Sequence, residues 1–97
     1  MRLVVRGAAE ADIPEVSCWY EARSPGLSYE FPHTVDVALA EITCMPERYP
    51  LARDTVRRAL LRRFPYAVFF VAAPDLLSVL ACMHARRDPR RWQERAG

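Results

Sequence analysis

Arginine is the residue with which this chain could do chemistry. Arg57-Arg58 and Arg62-Arg63 stand ahead of a Phe64-Pro65 turn, and Arg86, Arg87, Arg90 and Arg91 follow His84 and lead into Trp92. A guanidinium is a planar fork that binds phosphate or carboxylate through paired hydrogen bonds. With a pKa above about 12 it cannot shuttle protons. Such a set can hold an acidic partner, whether nucleic acid or an acidic protein segment. RNA cleavage by 2′-hydroxyl attack would also need a base, an acid and cations around the phosphate. The cations are present, but there is no lysine, and no tyrosine follows Tyr66. His84, ending an apolar run beside Arg86 and Arg87, is the good acid–base candidate. In a nuclease, Arg57, Arg63 and Arg86 would surround the phosphate. Trp92 among arginines could stack on a base or anchor a protein interface. The interface is the preferred reading, and folding back onto the core is the alternative.

Arg57 and Arg58 are neighbours on an expected strand, so alternation sends them to opposite faces. The charge is also segregated. Residues 1–50 carry four arginines and eight acids, a balance of −4, and residues 51–97 carry ten arginines and four acids, a balance of +6. A one-sided basic surface attracts acidic partners. Cys18, Cys44 and Cys82 are odd in number, widely spaced and without a C-x-x-C pair, so they read as small buried or half-buried hydrophobes. Two histidines, His33 and His84, assemble no zinc site at a usual spacing. No metal or cofactor is expected. No apolar run approaches the roughly 18–20 residues of a membrane span. Leu3-Val4-Val5, closed by Arg6, is too short for a secretory signal, which argues for the cytoplasm.

The elements that must position these side chains follow from periodicity. The 97 residues read as a single domain, 1–97. Arg2–Arg6 reads as a first strand. Ala9, Ile13, Val16 and Tyr20 form one helical face. Pro14 lies inside that pattern, so either the helix is kinked there or Asp12 caps a helix running from Ile13 to about Arg23. Ser24-Pro25-Gly26 ends it. Phe31, Val35, Ala38, Ile42 and Met45 form a second helical face, with Ser28 as N-cap and an end before Met45-Pro46. Trp19, Tyr20 and Phe31 are expected in the core, and His33 on the surface. Three strands follow, about Val56–Leu61, Tyr66–Ala72 and Leu77–His84, with links short enough for antiparallel hairpins. Asp88-Pro89 could cap a last helical turn reaching about Arg95. The fold class is α+β, in the order β-α-α-β-β-β, with a helical hairpin packed on one face of a mostly antiparallel sheet.

Tyr20-Glu21, Ser24-Pro25-Gly26-Leu27, Phe31 and Pro46-Glu47-Arg48-Tyr49-Pro50 resemble the RelE/ParE superfamily of type II toxin–antitoxin toxins. Arg57-Arg58, Leu61, Arg63-Phe64-Pro65-Tyr66 and His84 through Arg87-Asp88-Pro89, with Trp92, look like its ParE-type, plasmid stabilisation branch. The resemblance covers almost the whole chain; Pro14 and Pro32 depart from the family's helices. It implies a RelE/ParE-like fold and a toxin that arrests growth when its cognate antitoxin is degraded. ParE-type members poison DNA gyrase and are not known as enzymes; RelE-type members cleave ribosome-bound mRNA without a metal. The missing lysine and tyrosine favour the gyrase inhibitor, with the endoribonuclease and a non-toxic antitoxin-binding module as alternatives. The expected partner is a small antitoxin with a partly disordered acidic segment, forming a toxin–antitoxin hetero-oligomer. Its contact residues, or those for the target, would be Arg57, Arg58, Arg63, Tyr66, Arg86, Arg87, Arg90, Arg91 and Trp92.

Overall fold

A computed structural model describes residues 2–86 and 89–96. Strand β1 (Arg2–Val5) leads into helix α1 (Gly7–Arg23) and helix α2 (Leu27–Cys44). A 3-10 turn, Pro46–Arg48, precedes strands β2 (Leu51–Arg53), β3 (Val56–Leu60), β4 (Tyr66–Ala72) and β5 (Leu76–His84), and helix α3 (Pro89–Ala96) follows. The strands form one sheet in the order β1-β5-β4-β3-β2, antiparallel except where β1 lies parallel to β5. The expected order therefore holds, with the short β2 added to it; the last helical turn expected from Pro89 to about Arg95 is α3, and its expected cap Asp88 lies outside the described residues.

Both helices of the hairpin use the faces their periodicity marks. Ala9, Ile13, Val16 and Tyr20 of α1, and Phe31, Val35, Ala38 and Ile42 of α2, pack against Val68, Phe70, Val79 and Cys82 of the sheet. α1 runs unbroken through Pro14, so Asp12 is an interior residue and not a cap. An interior proline removes one helical hydrogen bond and costs about 3 kcal/mol, which the buried stripe on either side of it offsets. α2 likewise contains Pro32 and starts one residue before Ser28. No side chain caps α2; the carboxylate of Glu21 instead ties down its entry, accepting hydrogen bonds from the Gly26 N–H and, at 3.1 Å, from the Ser28 hydroxyl. Gly26 has φ +97°, a conformation that suits glycine. Met45 is 59% exposed, because α2 ends at Cys44 before the last position of the stripe reaches the core.

The sheet is covered on its second face as well. Ala67, Phe69, Leu80, Ala81 and Met83 form a second core cluster, closed by Trp92 of α3. This explains why β4 reads as a continuous apolar run: Val68 and Phe70 meet the hairpin while Ala67 and Phe69 point the other way. A bulge keeps β5 in phase with both layers. Phe69 pairs with Ala81 and Phe70 with Val79, so Leu80 is the extra residue. Leu80 and Ala81 consequently share the Trp92 face, and Cys82 returns to the hairpin face.

The candidate partner-binding cleft

The β3–β4 link is held at both ends. The Leu61 N–H donates to the Tyr66 carbonyl at 2.9 Å, and the Ala85 N–H donates to the Pro65 carbonyl at 2.9 Å. Phe64 is buried between them, edge-on to Tyr20 and Phe31 with ring centroids 5.0 and 5.1 Å apart. Arg63 sits at φ +71°, a left-handed conformation costing a non-glycine residue about 1 kcal/mol or more. Anchored in this way, the turn leans against the end of β5 and encloses a cleft. Its walls include Arg58, Leu60, Phe64, Pro65, His84 and Arg86, around a space of about 440 Å³. Leu60 is 63% exposed at its rim.

Alternation separates Arg57 from Arg58 as expected. Arg57 pairs across the sheet with Phe70 and shares its face with the helical hairpin. Its Nη1 donates to the Tyr49 carbonyl at 2.6 Å, so it ties the segment before β2 to the sheet. Arg58 pairs with Phe69, lies on the α3 face and lines the cleft. Arg62 and Arg63 are exposed and approach Glu41 and Glu30 at 3.4 and 3.8 Å, contacts that water screens heavily. Among the described residues, Arg58, Arg86, Arg90 and Arg91 have no acidic partner. Arg58 and Arg86 share the cleft with His84; Arg91 lies beyond His84, in a recess that also holds Asp12, Glu15 and Tyr66. Arg90 is set apart, beside Arg53. Arg87 and Asp88 lie outside the described residues.

Tyr66 faces His84 across the β4–β5 pair, ring centroids 5.4 Å apart, and joins the cluster of Tyr20 and Phe31. His84 Nδ1 accepts the Arg86 N–H at 3.2 Å. In a neutral imidazole that acceptor role puts the proton on Nε2. Burial raises the Tyr20 hydroxyl above its ordinary range, with Tyr66 adding to it.

Several expectations need correction. Trp92 is not an exposed aromatic: it is 6% exposed and stacked on Phe69 at 4.5 Å with the rings 12° apart. The alternative reading of a fold back onto the core describes it, because the second face of the sheet needs a cover. Trp19 is 46% exposed instead of in the core, with the Arg23 guanidinium over its ring at 3.6 Å. Cys18 and Cys44 are exposed; only Cys82 is buried.

One structural pair was missed. Asp12, 6% exposed, accepts hydrogen bonds from Arg95 Nη1 at 2.7 Å and Nη2 at 3.2 Å, and from the Cys82 N–H at 3.0 Å. Arg95 also donates to the Leu80 carbonyl at 3.3 Å. β1 ends opposite Val79, so beyond that point β5 has a strand on its β4 side only. Asp12 and Arg95 satisfy the backbone groups that would otherwise be left open, and they clamp α1, β5 and α3 together. The signal was available: Asp12 falls three residues after Ala9 on the apolar face of α1, and a charge there needs a partner.

No helix among the described residues is long and apolar enough to cross a membrane. No protein-family model and no curated protein matches the chain. Among solved structures, it is similar to a chain of the chromosomal ParDE TA (toxin–antitoxin) system from P. aeruginosa, with a TM-score of 0.77 and 17% sequence identity. The likeness covers 87% of this chain and 95% of that one. What it shows is the fold, a helical hairpin on a mostly antiparallel sheet of the ParE/RelE-like kind.

Proposed function

We propose that this chain is the toxin of a type II toxin–antitoxin pair, acting in the cytoplasm as a ParE-like inhibitor of DNA gyrase and silenced by a cognate antitoxin. The observation that carries the reading is the fold it shares with the ParDE chain over nearly its whole length. The arginine cleft supports it. Arg58 and Arg86 flank an apolar wall of Leu60, Phe64 and Pro65, a combination suited to an acidic, partly disordered segment that orders as it binds. Arg63, in the turn, and Arg91, beyond His84, add basic charge near it, and Tyr66 packs edge-on against His84; Arg90 lies apart, beside Arg53. Arg57 and Trp92 serve mainly to hold the sheet and α3 in place.

The hydrogen bond at His84 weighs on the choice of target. The ring's Nδ1 accepts the Arg86 N–H at 3.2 Å, so one of the two ring nitrogens is engaged with the backbone. With no lysine in the chain and no tyrosine after Tyr66, that favours the gyrase inhibitor over the mRNA endoribonuclease. The test is a supercoiling assay with purified DNA gyrase, using the wild-type chain and a folded His84→Ala variant. Inhibition by both is expected. Intact gyrase activity, together with transcripts cleaved on ribosomes only by the wild-type chain, would overturn the reading in favour of the nuclease.

A further inference from the structure

The two helices that clamp β5 carry matched charges. Asp12 and Glu15 lie three residues apart on α1, and Arg91 and Arg95 four apart on α3, so each pair shares a helix face. Asp12 and Arg95 meet at 2.7 Å. Glu15 and Arg91 do not: they stay farther apart than the 4.0 Å of an ion pair, and among the described residues neither meets any charged partner. Both instead line one recess of about 180 Å³, together with Val16, Met83, Tyr66 and His84. The backbone of β5 contributes to it as well. The Cys82 N–H turns to the α1 side, onto Asp12, while the Ala85 N–H turns the other way, onto the Pro65 carbonyl. Alternation along the strand therefore sends the Cys82 carbonyl and the His84 N–H toward the α1 side too.

Arg95 neutralises Asp12, so the recess holds one free negative charge and one free positive charge. A plain anion would meet Arg91 but be repelled by Glu15, and a plain cation the reverse. A molecule carrying both charges satisfies each side. At the roughly 30 Å³ that a water occupies, the space takes about six heavy atoms, the number in alanine, which is too small for a chain segment. We propose that this recess binds a small free amino acid, its ammonium on Glu15 and its carboxylate on Arg91. The Cys82 carbonyl and the His84 N–H supply the second acceptor and donor, and the ligand's side chain lies against Val16 and Met83. A few placed polar groups over apolar walls is the usual make-up of a small-molecule site. The arginine cleft lies beyond His84, and neither that cleft nor gyrase inhibition is needed for this site.

The test uses the full chain, made in a cell-free system with ¹⁵N label. It is titrated with L-alanine, and separately with acetate and with ethylammonium, each of which carries one of alanine's two charges. Expected are shifts at the Val16, Cys82 and His84 amides that half-saturate at about 1–10 mM alanine, with acetate and ethylammonium each about tenfold weaker or worse. Glu15→Gln abolishes the preference for alanine over acetate, and Arg91→Gln abolishes the preference over ethylammonium. Both positions are exposed, and the unshifted remainder of the spectrum reports that the fold is kept. The proposal is overturned if those amides stay unmoved at about 100 mM alanine, if acetate or ethylammonium binds as tightly as alanine, if either variant keeps its preference, or if the shifts centre on Arg58 and Arg86.

Discussion

Asp12 and Arg95 join three elements, α1, β5 and α3, through one set of hydrogen bonds. Removing one member of a buried ion pair leaves the other without compensation, typically at a cost of about 3–5 kcal/mol. Asp12→Ala also leaves the Cys82 N–H unsatisfied. It should lower the urea midpoint sharply, and Arg95→Met added to it should recover part of the loss, since no unpaired charge then remains. A double variant no more stable than Asp12→Ala would show that the pair is incidental. Cys82 makes a second prediction. Burial, with Asp12 nearby, pushes its thiol from the ordinary 9.0 up to about 12. The folded state holds that proton more tightly than the unfolded state, so stability is fully present below about pH 9 and falls as pH rises toward 12. Tyr20 and Tyr49, both raised mainly by burial, act in the same direction at higher pH. Cys82→Ala should flatten that alkaline decline in urea midpoints between pH 9 and 11. Periodicity places such residues on a face but does not name their partners: Asp12 and Arg95 are 83 positions apart, and nothing local to either announces the other.

At the scale of elements, α3 is the part whose importance exceeds its length. Its amino acids are polar apart from Pro89, Trp92 and Ala96, and they read as no more than a last helical turn. The second face of the sheet makes the difference: Phe69, Leu80, Ala81 and Met83 would be open to water without Trp92 over them. Stacked aromatics contribute about 0.5–1.5 kcal/mol beyond their buried area, and truncating a buried aromatic to alanine costs about 3–5 kcal/mol. Trp92→Ala should therefore destabilise the chain by about that amount and create a site for a hydrophobic dye, read by denaturant unfolding and dye fluorescence. An unchanged unfolding midpoint would mean that α3 rests on the sheet without supporting it. The helices and the three long strands were legible because each carries one strong period or one long apolar run. β2 was not, since three exposed residues carry no pattern. The cover over the second face was hidden for a different reason: a single tryptophan among arginines also suits an exposed anchor.

Across the whole molecule, charge and fold divide the work. The acidic half builds the helical hairpin and strand β1, and the basic half builds the other four strands and the cleft at their end. Of the sequence-marked contact residues, the structure brings Arg58 and Arg86 into one cleft with His84, sets Tyr66 edge-on against His84, and directs Arg57 and Trp92 to packing roles. That sorting depends on strand alternation and on which face needs a cover, and the arginine count alone could not supply it. Pulse labelling of DNA and protein synthesis in the first minutes after inducing the chain without an antitoxin tests the proposed function most directly. Gyrase poisoning predicts that thymidine incorporation falls first, for the wild-type chain and for His84→Ala alike. Methionine incorporation falling first, and only with His84 intact, would contradict it and point to a nuclease; labelling that never falls would contradict a toxin of either kind.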